Sequence, residues 1–314
     1  MPPPQALAQG RTAAEAASPE GPVTVGVYLY GIQNLDYAKY TFQANFEIWF
    51  RWRGDRYDPL ANMHIVGARA LTVTPEDRRK LADGENYLVA RVDAVINAKF
   101  DTGAFPFDRH RLAIEVESPF EDDYLTYQVD AEASMLDPDP FTQGWRLSGF
   151  RVHELRRQYP TNFGLKERVG DRYSTLIVEV VADRIGWRIA VDHFIGFIVC
   201  VLLCLIGYLI PANQLGVRGS LVTTATFAAV GNKYVVNSLT ETSLSAPLAN
   251  VAVITSFAMV LILMITSIRC ERLYEAGERT RATRLNRNVG VASAVGYVVV
   301  MGYFFWRALM AGPT

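Results

Sequence analysis

Cysteine is absent from the first 187 residues of the chain. The three cysteines, Cys200, Cys204 and Cys270, all lie in or beside apolar stretches further along. No disulfide can therefore stabilise the N-terminal part. Its stability must come from its own hydrophobic core and from contacts with neighbouring domains or subunits.

Side chains that carry catalytic chemistry are also scarce. There is no nucleophile elbow or glycine-rich phosphate loop, and the four histidines are scattered, at His64, His110, His153 and His193. We interpret His110 as a surface strand residue. Glu121-Asp122-Asp123 is interpreted as a solvated loop, with Ca²⁺ binding as the alternative. The sequence thus favours a protein that is not an enzyme and has no cofactor.

Excess charge of one sign is lacking as well, since the formal net charge is −1. A nucleic-acid partner is therefore not expected. With 314 residues, 50% of them hydrophobic, the chain has room for one soluble domain and a membrane bundle. Residues 1–20 are rich in Pro and Ala and are predicted to be disordered. Ala6-Leu7-Ala8 is similar to the end of a signal peptide, and our hypothesis is that a secretion signal was trimmed, or its start misplaced, upstream of this sequence.

Residues 21–187 carry the pattern of an all-β domain. Between Thr41 and Trp52, apolar and polar residues alternate with the period of two that is typical of a half-buried strand. Similar runs follow, separated by turn signals such as Asp83-Gly84 and the stretch from Asp137 to Pro140. This pattern predicts an antiparallel β-sandwich whose sheet has one solvent-exposed face, and Trp49 lies on that face.

Residues 188–314 contain four stretches of membrane length, at about 189–210, 218–240, 249–268 and 288–308. The segment between the third and fourth is rich in Arg, whereas the linker after the second has no Lys or Arg. The positive-inside rule places the Arg-rich loop in the cytoplasm. The β domain would then lie in the periplasm, and the chain would be a multi-pass protein of the bacterial inner membrane.

The second of these stretches is too polar for a helix that faces lipid on all sides. On an α-helix, six residues fall within about 40° of one line, and these are Ser220, Thr224, Phe227, Gly231, Tyr234 and Ser238. Two alternatives remain open. The stripe lines a pore formed by several copies, or its hydroxyls pack against other spans of the same subunit.

Lys233 lies about 140° away from this stripe on the same helix. An ammonium inside a bundle usually finds a partner, and Asp192 near the start of the first span matches its depth. We predict that Asp192 and Lys233 form an intramembrane pair. The alternative is that Lys233 reaches the outer interface and Asp192 faces water.

Several motifs along the chain resemble one known family. They are Phe105-Pro106-Phe107-Asp108 within KFDTGAFPFDRHRLAIEVE, the run YLYGIQNLD with the following strand that ends in Trp52, Gly144-Trp145, Arg184 before the first span, and Pro247 in the outer linker. In this order the chain resembles the pentameric ligand-gated ion channels of the Cys-loop receptor superfamily, in particular their bacterial branch without the cysteines. The resemblance implies an N-terminal all-β immunoglobulin-like sandwich, a C-terminal four-span α-helical transmembrane bundle, and a homopentamer whose second spans surround an ion pathway.

The resemblance also implies roles for individual residues. Coupling between the sandwich and the pore falls to Asp36, Phe105, Pro106, Phe107, Asp108, Arg184 and Pro247. The agonist site between subunits falls to Phe120, Tyr159, Tyr173, Glu47 and Trp49, with ordinary interface packing as the alternative for the aromatic rings. The family's Trp-x-Pro motif is absent, which argues against a conventional agonist at this site. The sequence does not name the agonist, and protons, a cation and an amine stay open as alternatives.

Charge selectivity stays open in the sequence. No acidic ring accompanies Arg218 at the inner mouth, and a ring of Arg218 would favour anions, while Glu241 at the outer mouth acts in the opposite sense. We therefore predict a ligand-gated channel subunit whose partners are its own copies, membrane lipids, permeant ions and an unknown small agonist. The alternatives are a non-conducting periplasmic sensor of the same architecture and, more distantly, a membrane-anchored hydrolase.

Overall fold

A computed structural model describes residues 19, 21–161, 172–240 and 247–310. The chain divides into two compact units. The first, the β unit, comprises residues 1–99 and 111–182, and the second, the helical unit, comprises residues 100–110 and 183–314. Of the segment predicted to be disordered, residues 1–18 and 20 lie outside the described residues. Residues 100–110, which carry the Phe-Pro-Phe-Asp motif, thus belong with the helices.

The β unit is built from two sheets. Its strands are β1 (Val23–Asp36), β2 (Thr41–Trp52), β3 (His64–Ile65), β4 (Ala68–Lys80), β5 (Asn86–Asn97), β6 (Arg109–Glu121), β7 (Tyr127–Val129), β8 (Met135–Phe141), β9 (Trp145–Gln158) and β10 (Arg172–Arg184). One sheet has the order β4-β5-β2-β1-β7, with β8 also paired to β1, and the other has the order β3-β6-β10-β9. β1 is antiparallel to β2 but parallel to β7 and β8.

The alternation predicted in β2 is confirmed, because every second side chain from Phe42 to Trp52 is buried. Phe42, Phe46 and Phe50 form the centre of this face. Burying each such ring contributes about 1.5–3 kcal/mol relative to leaving it in water. An apolar face of this size requires a second layer, and the second sheet buries the matching row Leu176, Val178 and Val180 of β10.

Two edge strands differ from the prediction. The turn expected from Asp137 to Pro140 is wrong, because these residues lie within β8. β4 carries Pro75 and a mostly exposed run, and it was not predicted as a strand. Both strands have irregular register with their partners, and proline and charge are tolerated at such edges because fewer ladder hydrogen bonds are lost there.

In the part of the helical unit that the structure describes there are four helices, α1 (Gly186–Leu209), α2 (Leu215–Thr240), α3 (Pro247–Glu275) and α4 (Arg279–Leu309). Three of them, α1, α3 and α4, are long and apolar enough to cross a membrane. The prediction of four helices is confirmed, but the prediction of four apolar spans is wrong for residues 218–240. Serine, threonine, asparagine and lysine lower the hydropathy of α2 below that of a lipid-facing span.

The Arg-rich segment between the third and fourth spans is mostly helical rather than a loop. α3 continues to Glu275 and α4 begins at Arg279. Gly277, with a φ of +83°, ends α3 because its left-handed conformation lets two backbone amides return to the last turn. Gly277 N–H donates to Tyr274 O at 3.0 Å and Glu278 N–H donates to Leu273 O at 2.9 Å. The arginines are therefore displayed on helix ends in fixed positions.

Candidate functional site

α2 has one face that is buried by its own subunit. The buried side chains are Arg218, Ala225, Ala229, Asn232 and Val236. At about 100° per residue, they cluster near the side of the helix opposite Ser220. α1 and α3 pack against α2, and the small alanines allow the close approach that membrane helices use.

The predicted stripe lies on the other face of α2. Ser220, Thr224 and Gly231 are exposed in the single chain. Phe227 is 74% exposed and Tyr234 is 70% exposed. Ser238 lies in α2, but its side chain is outside the part that the structure describes. Of the two alternatives for this stripe, packing against other spans of the same subunit does not fit its described residues.

The hydroxyl groups of α2 donate their hydrogens back into the helix. Ser220 Oγ donates to Gly216 O at 3.2 Å, and Thr224 Oγ1 donates to Ser220 O at 3.0 Å. Thr223 Oγ1 does the same towards Gly219 O at 3.1 Å. Because the hydrogens point inwards, these exposed oxygens present lone pairs to whatever lies against the stripe.

The exposed faces of the three apolar helices have a different character. Large aliphatic residues dominate there, including Ile195, Ile198 and Leu202 on α1, Ile254 and Leu261 on α3, and Val295, Val298 and Val299 on α4. Such faces match a hydrocarbon environment. Aliphatic residues therefore dominate the exposed membrane-length faces of α1, α3 and α4, whereas hydroxyls and two aromatic rings form the stripe on α2.

Asn232 fixes α2 against α1. Its Nδ2 donates to His193 O at 2.7 Å, and its Oδ1 accepts from Gly196 N–H at 3.1 Å. A Cβ at Gly196 would lie 2.6 Å from Asn232 Cβ. Only glycine leaves room for this amide, so the contact holds the rotation of α2 and hence the direction of the stripe.

Arg218 is fully buried at the end of α2 where α1 and α2 are joined. One guanidinium nitrogen, Nη2, donates to Ile210 O. Glu271, Tyr208 and Cys270 are its electrostatic neighbours. Unlike Arg218, the two residues of the predicted intramembrane pair, Asp192 and Lys233, are both exposed in the single chain. Their pairing stays a prediction.

The Phe-Pro-Phe-Asp loop packs on the helices within the helical unit. Phe105 stacks on Phe194 with ring centroids 6.5 Å apart. Phe107 meets Trp187 at 5.7 Å and Phe305 at 5.1 Å. The bond before Pro106 is cis. The loop therefore contacts both the start of α1 and the end of α4.

Asp108 and Arg184 form a buried ion pair beside this loop. Asp108 is 1% exposed, and Arg184 donates to it from Nε at 2.7 Å and from Nη2 at 3.2 Å. The guanidinium also lies 5.3 Å from the centre of the Phe105 ring. The interpretation of His110 as a surface residue is wrong: it is 2% exposed, with Nε2 2.7 Å from Asp108 Oδ2. The reason is that Asp108 needs a second partner once it is buried.

Asp36 and Pro247, which were also predicted to couple the sandwich to the pore, lie elsewhere in the chain. In the β unit, Asp36 forms an ion pair with Lys39 at 3.0 Å. The hydrogen bond from the Lys39 backbone amide, aided by its side chain, lowers the pKa of Asp36. Pro247 is the first residue of α3.

In the β unit, two of the predicted ligand-site tyrosines are brought together. Tyr159 and Tyr173 meet edge to face at 5.8 Å. The Tyr159 hydroxyl donates to the two oxygens of Glu117, at 2.9 and 3.1 Å. Burial is the main cause that raises the pKa of Tyr159. The hydrogen bond to Glu117 raises this pKa further, whereas the hydrogen bond with Arg157 lowers it. Phe120, near the end of β6, is half-buried. These rings and a carboxylate are the groups that bind cationic or small polar ligands in proteins.

The other two predicted ligand-site residues lie on the opposite sheet. Glu47 accepts from the Tyr30 hydroxyl at 2.6 Å and pairs with Arg91 at 3.4 Å. The hydrogen bond to Glu47 is the main cause that raises the pKa of Tyr30. Trp49 donates from its indole nitrogen to Asp130 at 3.2 Å. A cation that approached Glu47 would therefore compete with Arg91.

Sequence reasoning missed Glu117, the carboxylate beneath the tyrosine pair. Arg157 lies 3.8 Å from it and 2.6 Å from Glu115. Glu115 and Glu117 are two residues apart in β6, so the alternation of a strand places both on the same face. This spacing is the sequence feature that could have indicated the pair. The Ca²⁺ alternative for Glu121-Asp122-Asp123 is not supported, because Asp122 faces Arg172 at 3.4 Å. No metal-binding group of three or more His, Cys, Asp or Glu occurs among the described residues.

Comparisons with known proteins give no family for the chain, because neither the models of known protein families nor the curated proteins contain a match.

Proposed function

We propose that the chain is one subunit of a pentameric ligand-gated ion channel of the Cys-loop receptor type, with its β unit an immunoglobulin-like sandwich in the periplasm of a bacterium. Five copies of α2 would surround the ion pathway. The chain would then be a channel and not an enzyme.

One observation carries this proposal: the polar stripe of α2 is exposed while the opposite face of the same helix is buried. α2 has 26 residues and would extend about 39 Å at 1.5 Å per residue. That length exceeds a hydrocarbon core of about 30 Å. A membrane-length helix with an outward polar face needs water or more protein against that face, and a ring of copies around an axis supplies both.

The Phe-Pro-Phe-Asp loop supports the gating part of the proposal. Because Phe105 packs on α1 and Phe107 packs on α4, a shift of this loop would displace side chains of both helices. The agonist would bind between β units, where Tyr159, Tyr173 and Phe120 of one subunit face Glu47 and Trp49 of the next. A proton, a cation or an amine suits these groups.

Electrophysiology of the purified protein in liposomes tests the proposal. We expect current that depends on one condition in a panel of pH values, cations and amines. The Phe227→Ala variant provides a control that does not need the agonist, because removing this ring from the stripe should let ions leak. A folded pentamer that passes no current in either form would contradict the proposal and favour a non-conducting sensor.

A further inference from the structure

Formal charge is distributed unevenly around α2. The helix contains no carboxylate and two cations, Arg218 and Lys233. Arg218 lies about 160° from the line through Ser220, and Lys233 lies about 140° away on the other side. From Ser220 to Tyr234 the exposed stripe therefore carries no formal charge.

The Arg218 side chain is buried among the helices of its own subunit. It is the largest fully buried side chain of the described residues, and it donates to the Ile210 carbonyl at the end of α1. Cys270, Tyr208 and, more weakly, Glu271 of α3 are its electrostatic neighbours there. The complete burial of Arg218 and its hydrogen bond to the Ile210 carbonyl hold the guanidinium on the side of α2 that faces away from the stripe. An anion-attracting ring of Arg218 does not form on the stripe.

The hydroxyl oxygens decide which partial charge the stripe presents. Ser220 and Thr224 use their hydrogens on the carbonyls of Gly216 and Ser220, so the outward atoms are oxygen lone pairs. Rings of oxygen acceptors replace the hydration shell of a cation, as carbonyl rings do in selective channels. An anion needs donors, and the hydrogens of these hydroxyls are already committed.

We infer that the pore conducts cations in preference to anions, and that the burial of Arg218 makes this preference possible. The inference rests on the proposed function and names the class of ion that it carries. Ser220 and Thr224 act as the selecting residues, and Arg218 acts only by staying out of the pathway.

The reversal potential in a roughly tenfold KCl gradient tests this inference. We expect it to shift towards the potassium equilibrium potential, with a K⁺ to Cl⁻ permeability ratio on the order of ten. A shift towards the chloride equilibrium potential would overturn the inference and leave the proposed channel function standing. Absence of current from a folded pentamer, including Phe227→Ala, would instead overturn the channel function and the selectivity with it.

Matched variants locate the selecting groups. Ser220→Gln should keep the sign of the reversal potential, whereas Ser220→Lys should invert it, because only the second places a charge on the stripe. Arg218→Gln should leave the permeability ratio unchanged. A severalfold rise in cation preference in Arg218→Gln would show that this charge reaches the pathway and would refute its assigned role. If Arg218→Gln fails to assemble, the wild-type reversal potential and the Ser220 pair still decide.

Discussion

A single carboxylate, Asp108, has the most demanding surroundings in the chain. It is buried with His110 and Arg184 as close partners, and the Phe105 ring covers the guanidinium. A charge in such a place is stable only while its partners remain. The residue therefore ties the Phe-Pro-Phe-Asp loop to the segment that leads into α1.

Arg184→Gln should be strongly destabilising and should impair gating. It leaves Asp108 with one charged partner fewer, which costs about 3–5 kcal/mol at a buried site. The matched control is Arg109→Gln, since Arg109 pairs with Asp183 but is half exposed, and a pair of that kind contributes at most about 1 kcal/mol. Thermal unfolding in detergent and agonist-evoked current are the measurements. Equal effects of the two variants would contradict the role of Asp108.

Two buried phenols in the β unit should make its stability depend on pH in the alkaline range. Burial is the main cause that raises the pKa of both Tyr57 and Tyr127. Above a pH of about 10 the unfolded chain ionises first, so the free energy of unfolding should fall as the pH rises. Urea unfolding from neutral pH to pH 11 would measure this slope.

The control for this pH effect is Tyr57→Phe, which removes one of the two ionisable groups. Its free energy of unfolding should fall less steeply with pH than that of the wild type. A variant with an unchanged slope would mean that Tyr57 already ionises freely in the folded protein.

At the scale of the elements, the contact between α1 and α2 depends on Gly196. Gly196→Ala should destabilise the helical unit by about 1–3 kcal/mol, because the added Cβ overlaps Asn232 and overpacks the contact. Gly302→Ala on α4 is the matched control, since nothing lies within 4 Å of its added Cβ. Thermal unfolding of both variants is the measurement. An equal or greater loss in Gly302→Ala would contradict the special place of Gly196.

Phe227 is predicted to form the hydrophobic gate of the stripe, with Tyr234 as a second constriction. Phe227→Ala should raise the basal leak or the agonist sensitivity. Leu221→Ala, about 100° around the helix from the stripe, is the control and should leave gating nearly unchanged. Unaltered gating in a Phe227→Ala protein that assembles normally would refute this role.

How far the sequence predicts these elements depends on how regular each one is. The alternation in β2 and the stripe on α2 were readable, because a period of two or 3.6 leaves a direct mark in the residues. β8 was not, since Asp-Pro pairs are typical of turns, and its pairing with β1 through Leu136 and Phe141 joins residues far apart in the sequence. The burial of His110 and Arg218 was also hidden, because it depends on how the surrounding elements pack, which leaves no periodic pattern in the sequence.

At the scale of the whole molecule, the surface of the helical unit distinguishes two environments. Aliphatic residues cover the exposed faces of α1, α3 and α4, whereas hydroxyls and two aromatic rings form the exposed stripe of α2. Lipid suits the first surface and a shared axis suits the second. A ring of subunits therefore fits this surface better than a single chain in the bilayer.

Substituted-cysteine accessibility tests the central claim, that the α2 stripe lines a conducting pore, most directly. In the Phe227→Ala background, a charged water-soluble thiol reagent should block the current of Thr224→Cys but not that of Ala225→Cys, since Thr224 is exposed on the stripe and Ala225, about 100° around the helix, is buried. The native Cys200, Cys204 and Cys270 are fully buried and should not react. Block of Ala225→Cys with no effect on Thr224→Cys would contradict the account.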